Sequence, residues 1–124
     1  MTIASLKKRS EFLAVNASDE RWVKDLVVVQ ILNLSDTENY VLRAGFTATK
    51  KIGGAVVRNR AKRRMRALFQ KYQPYMQKQI QEQKRAIDIV MVARRETATA
   101  DFLRLEEQIV YAFRKLKLLP KELT

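Results

Sequence analysis

The chain has 124 residues and a formal net charge of +12, from 25 Lys and Arg against 13 Asp and Glu. Its 47% apolar content is enough to bury a core, which excludes a disordered basic tail. It contains no Cys and no His, which excludes disulfides, thiolate nucleophiles, Cys-based zinc sites and every Ser-His-Asp arrangement, and removes the commonest general base and metal ligand.

In chain order, Phe12 and Val15 lie three apart and predict a short helix over residues 10–15, followed by polar turn chemistry over 16–20. Leu26 to Leu32 is β-branched and nearly continuous, the pattern of a central strand covered on both faces, with room for a further short strand around Trp22. A turn is expected over 35–39. Residues 40–49 then alternate, with Tyr40, Leu42, Ala44, Phe46 and Ala48 on one face, which predicts a half-buried strand paired antiparallel with the preceding one. Gly53-Gly54 breaks the pattern. A helix follows over about 55–73, where Pro74 is expected to interrupt or kink it. Its core stripe is Val57, Ala61, Met65, Leu68 and Tyr72, and Arg64 falls at the stripe's edge. Residues 77–83 are polar enough to read as a solvated connector. Residues 86–93 predict a second buried strand. Asp101 caps a last helix carrying Phe102, Leu105, Ile109, Phe113 and Leu116 at helical spacing, with Arg114, Lys115 and Lys117 in its final turn and Pro120 beyond it. Phe46, Phe69, Phe102 and Phe113 sit on apolar faces and read as core, and Glu106-Glu107 as a solvated face.

The expected architecture is one α+β domain over residues 1–124, a sheet with helices packed on it, in the order α-β-β-α-β-α. A strand, a long helix and another strand suggest a crossover between parallel neighbours. No apolar run of signal-peptide length follows Lys7, Lys8 and Arg9, and no stretch nears the roughly 18 apolar residues of a membrane span. No membrane partner is expected, and the cytoplasm is the expected location.

The charge is concentrated. Between Glu38 and Glu82 there is no acidic residue, and 11 Lys and Arg fall in that stretch, Arg43 and Lys71 among them. A single-sign block in an otherwise balanced domain reads as a surface for a polyanion, against the plainer reading of a solvated face. Its densest part runs from Lys50 to Arg66 (KKIGGAVVRNRAKRRMR), where 8 of 17 residues are cationic and none is acidic. Arg58, Lys62 and Arg66 lie four apart, and Arg60 and Arg63 complete a broad basic arc. A guanidinium forks onto phosphate oxygens and stacks on bases, so the arginines favour nucleic acid over an acidic protein. Cations around much of a helix's exposed circumference suit a folded RNA better than one DNA groove. The glycine pair is not a nucleotide-triphosphate loop, because the GxxxxGK[ST] spacing is missing. No catalytic site and no metal site is found among the protein's own side chains.

The string Lys-Lys-Ile-Gly-x-Ala-Val-x-Arg-Asn-Arg-x-Lys-Arg-x-x-Arg resembles the signature of the bacterial ribonuclease P protein subunit, the partner of a catalytic RNA that trims the 5′ leader from precursor tRNA. The likeness extends to Leu6-Lys7-Lys8 with Glu11-Phe12, to residues 44–51 and to residues 87–94, and so covers about 6–117, the expected ordered core. It implies an αβββαβα two-layer sandwich with a mixed sheet and a left-handed βαβ crossover, as in domain 2 of ribosomal protein S5. It also implies two RNA-facing surfaces. Lys50, Lys51, Arg58, Asn59, Arg60, Lys62, Arg63 and Arg66 would grip the ribonuclease P RNA, and a cleft including Phe12, Gln30 and Phe46 would hold the single-stranded leader of precursor tRNA. Hydrolysis would fall to Mg2+ bound mainly by the RNA, making the protein part of an enzyme without catalytic side chains of its own. The sequence departs from that family at Asn16 and Gln30, where aromatics are common, and at Gly54, where Asn is frequent. A non-catalytic structural RNA-binding protein and a DNA-binding domain are the competing readings.

Overall fold

The structure, a computed structural model, describes residues 3–34 and 39–120. The turn expected at 35–39 therefore lies, except for Asn39, outside the described residues. The chain forms α1 (Arg9–Asn16), β1 (Arg21–Val23), β2 (Val27–Leu34), β3 (Leu42–Thr47), α2 (Ala55–Glu82), β4 (Ala86–Ala93) and α3 (Phe102–Lys115). The result is an α+β fold with a mixed sheet.

The four strands run in the order β1-β2-β4-β3. This corrects the expected pairing, since β2 and β3 are not neighbours. β4 lies between them, antiparallel to β2 (Val29 opposite Met91) and parallel to β3 (Ala44 opposite Ile89). The physical reason is burial. Seven of the eight residues of β4 are buried, whereas β2 exposes Asn33 and leaves Val28, Leu32 and Leu34 only half-buried, so β4 takes the doubly covered place. The outer edge of β3 is not bare: Ala44 exchanges hydrogen bonds of 2.9 Å with the backbone of Ala4 and Leu6.

Strand alternation divides the side chains between two faces. Val27, Val29 and Ile31, Leu42 and Ala44, and Ile87, Ile89 and Met91 face the main core. There they meet Met65, Phe69, Met76 and Ile80 of α2 and Leu105, Ile109 and Phe113 of α3. The other face carries a smaller cluster, in which α1 packs Phe12 and Val15 with Leu6 against Leu32, Val90 and Val92.

The long helix also departs from expectation, because α2 runs through Pro74 to Glu82. Pro74 lies on the exposed side, where it removes only the bond to the carbonyl of Gln70. Met76 and Ile80 beyond it are fully buried, and that burial holds the last two turns in helical register. Phe102 is a further correction: it is 38% exposed rather than core.

A candidate nucleic-acid interface

The approach to α2 is a 3₁₀ turn over Lys50–Ile52 that ends at Gly53, whose φ of 143° is open to glycine and strained for any other residue. A Cβ there would also meet Val57 Cβ at 3.0 Å. This reversal places Lys50 and Lys51 immediately before the first turn of α2, whose free N–H groups carry partial positive charge. Ala61, Met65 and Leu68 anchor the helix to the core. The opposite side leaves Asn59, Arg60, Arg63 and Arg66 exposed and Arg58 and Lys62 half-buried. Among the described residues, none of Lys50, Lys51, Arg58, Arg60, Lys62, Arg63 or Arg66 has a carboxylate partner. Like charges on neighbouring turns repel, and nothing on the described protein surface compensates them.

Three other cations of the acid-free stretch serve the fold instead. Arg43 forks onto Asp88 with bonds of 2.8 and 2.7 Å and reaches Glu11 at 2.7 Å. The Asp88 carboxylate raises the pKa of Arg43, and the Glu11 carboxyl is held below its ordinary range, first by the backbone N–H groups of Lys8 and Lys7. Arg64 donates 2.7 Å bonds to the carbonyls of Thr97 and Ala100 and stacks 5.3 Å from the Phe102 ring. Burial, and then the charge of Arg60, lowers the pKa of Arg64. Lys71 pairs at 2.6 Å with Glu106, which also accepts the Tyr72 hydroxyl proton at 2.6 Å. Glu106 is thus not the solvated residue its position suggests. Its carboxyl is lowered by Lys71 and Tyr72, while burial and Glu106 push the Tyr72 hydroxyl up to about 12.

On the α1 side of the sheet, Phe12, Leu13, Asn16, Gln30, Thr47, Val90 and Val92 line a cleft of about 260 Å³. Phe12 rests directly on Gly45, where a Cβ would lie 2.4 Å from the ring. Gln30, 6% exposed, donates from Nε2 to Asn16 Oδ1 at 3.2 Å. Of the three residues expected here, the structure brings Phe12 and Gln30 together and places Phe46 elsewhere. Phe46 shares the face of Leu42 and Ala44, packs edge-on against Phe69 at 5.7 Å, and carries the Arg66 guanidinium 5.1 Å above its ring. Alternation along β3 forces this result, because Phe46 and Thr47 must point to opposite faces. Asn16 was a signal within reach: it stands one helical turn after Phe12 and therefore on the same face.

Among the described residues, no group of three or more acidic side chains converges on one point. No helix among them is long and apolar enough to cross a membrane.

Comparison with known proteins agrees with this geometry. The Ribonuclease P family model matches residues 2–117. The ribonuclease P protein component of Paramagnetospirillum magneticum is 32% identical over 118 residues, covering 94% of this chain and 84% of that protein. That of Gluconacetobacter diazotrophicus is 34% identical over 110 residues, covering 89% and 88%. In fold, the Staphylococcus aureus RNase P protein superposes with a TM-score of 0.76 at 23% identity, covering 96% of this chain and all of that one. The Thermotoga maritima protein superposes at 0.69 with 22% identity, covering 94% and 97%. With the family model spanning nearly its whole length, the chain belongs to the ribonuclease P protein family.

Proposed function

We propose that this chain is the protein subunit of a cytoplasmic ribonuclease P ribonucleoprotein, gripping the catalytic RNA with α2 and holding the 5′ leader of precursor tRNA in the α1 cleft. One observation carries the reading: seven cations at and before the first half of α2 have no carboxylate partner among the described residues. Folded RNA supplies the missing charge, and each guanidinium can fork onto its phosphate oxygens. The cleft suits a single strand, offering the Phe12 ring, an apolar floor from Val90 and Val92, and polar groups at its rim. Mg2+ held by the RNA would supply the chemistry of phosphodiester hydrolysis. The protein's part is positional: it binds, orients and neutralises. Glu11, Asp88 and Glu106 serve the fold, engaged with Arg43 and Lys71.

The test is reconstitution. Adding the purified chain to ribonuclease P RNA and precursor tRNA at low Mg2+ is expected to raise the rate of 5′ cleavage at least tenfold, at about 1.4 kcal/mol per tenfold. No gain in cleavage with both RNAs intact would overturn the reading, and cleavage by the protein alone would overturn the assignment of catalysis to the RNA.

A further inference from the structure

The two helices of the main core end in the same way, and their ends meet. After α2, the Lys84 N–H donates to the Gln81 carbonyl at 3.1 Å and the Arg85 N–H to the Ile80 carbonyl at 2.9 Å. After α3, the Lys117 N–H donates to the Arg114 carbonyl at 3.0 Å and the Leu118 N–H to the Phe113 carbonyl at 2.8 Å. Such paired bonds put the residue just past each helix in the left-handed region, with φ of 56° at Lys84 and 63° at Lys117. Glycine takes that conformation freely, whereas lysine takes it under strain. Gln83 Nε2 and Arg85 Nη1 both donate to the Lys117 carbonyl, at 3.1 and 3.4 Å, and tie the two ends together. Beside them opens a cavity of about 450 Å³, lined by Glu20, Asn33, Gln83, Arg85, Lys115 and Lys117 among others. The 28 residues of α2 set this end about 42 Å of helix away from the Lys50–Arg66 block.

Among the described residues, Lys84, Arg85, Lys115 and Lys117 form no ion pair. Asn33 Oδ1 at 2.9 Å and Gln83 Oε1 at 2.6 Å hold the Arg85 guanidinium in place, and its Nη2 has no protein partner among the described residues. Burial lowers the pKa of Arg85, and the charge of Glu20 offsets this only in part. The dipole of α3 is already answered by Arg114 and Lys115 in its last turn, which leaves the strained Lys117 unexplained. Lys115 also lies 5.3 Å from the Tyr111 ring, which is 42% exposed, and Lys24 lies 4.7 Å from the same ring. Cations that answer phosphate, set beside an exposed aromatic, suit an RNA strand. We propose that these joined helix ends form a second RNA-backbone site, with Arg85, Lys115 and Lys117 on phosphate and Tyr111 beside them for a base, so that one chain holds two RNA segments at opposite ends of α2. The inference rests on the reading of the chain as an RNA-bound subunit and adds a surface which that reading does not use.

The second segment belongs either to the ribonuclease P RNA or to precursor tRNA, and two binding measurements separate them. One uses the full chain with ribonuclease P RNA alone, the other precursor tRNA with the reconstituted holoenzyme, each at several salt concentrations. Lys117→Gly removes the charge and relieves the backbone. It should leave the melting temperature unchanged or raised, while taking roughly 0.7–0.9 from the magnitude of the log–log salt slope in one of the two measurements. Lys115→Gln combined with Lys117→Gly should take roughly 1.4–1.8. Lys117→Arg keeps the charge and should keep the native slope. Arg104→Gln, an equal loss of charge on the exposed side of α3 outside the cavity, should change the slope less than half as much as Lys117→Gly. Flattening in the first measurement identifies the ribonuclease P RNA as the source, and flattening in the second the precursor tRNA. Native slopes in both, or equal flattening by Arg104→Gln, would overturn the inference and leave the proposed function standing. A native chain that binds neither RNA would overturn both.

Discussion

Gly45 has no room for a side chain. A methyl group there would sit 2.4 and 2.6 Å from two carbons of the Phe12 ring, with Leu6 close behind. Gly45→Ala is expected to push the ring toward the cleft and to destabilise the fold by about 1–3 kcal/mol, as overpacking does elsewhere. Denaturant unfolding measures the loss, and Gly54→Ala, with nothing within 4 Å, is the control expected to change stability by less than about 1 kcal/mol. A Gly45→Ala protein as stable as the native one would show that Phe12 is not seated as described. The same scale shows what the sequence withholds. Arg43, Arg64 and Lys71 look like their cationic neighbours in a one-dimensional reading. Each is nevertheless claimed by a partner 33 to 45 residues away. Charge in a sequence carries no address; only the fold shows which cations are already answered. Phe46 teaches a related lesson. Its place on the core face follows from the alternation read in the sequence, and the expectation that put it in the cleft came from resemblance.

At the scale of elements, α2 was the most legible. Its buried stripe through Ala61, Met65 and Leu68 repeats every three or four residues, and a glycine pair marks its start. Its far end was illegible because Pro74 and a run of glutamines suggest a stop, while tertiary burial of Met76 and Ile80 decides otherwise. The exposed arc gives this element its measurable signature. Changing Arg58 and Arg60 to Ala should weaken binding to the ribonuclease P RNA and flatten its dependence on salt. Each lost phosphate contact removes roughly 0.7–0.9 from the log–log slope. Filter binding at several salt concentrations reads that slope directly, and an unchanged slope would show that these side chains do not touch phosphate.

At the scale of the whole molecule, stability should fall in acid. Glu11 and Glu106 have carboxyls lowered in the folded state by hydrogen bonds from the Lys8 and Lys7 N–H groups and from Lys71 and Tyr72. The unfolded chain therefore takes up protons first, and the stabilisation present above the ordinary carboxylate range near pH 4.5 is lost as pH falls through the folded values. The melting temperature is expected to decline by several degrees between about pH 5 and pH 3, and Glu106→Gln should make that decline shallower. Calorimetry across that range checks it; a variant with the native slope would show that Glu106 titrates normally. Strand order was the least legible property at this scale. Residue patterns identify β2, β3 and β4 as strands, but hydrogen-bonding neighbours are chosen across the sequence by burial, and β4 outcompetes the nearer partner.

That order has a consequence for how the chain comes into being. β4 is the last strand to be made and occupies the middle of the sheet, 40 or more residues after both of its neighbours begin. Until Ala86–Ala93 emerges, β2 and β3 have no common partner, and the cationic helix between β3 and β4 is already complete. A nascent or truncated chain ending before Ala86 thus presents its cationic segment ahead of any finished scaffold, with the charge in place before the architecture closes.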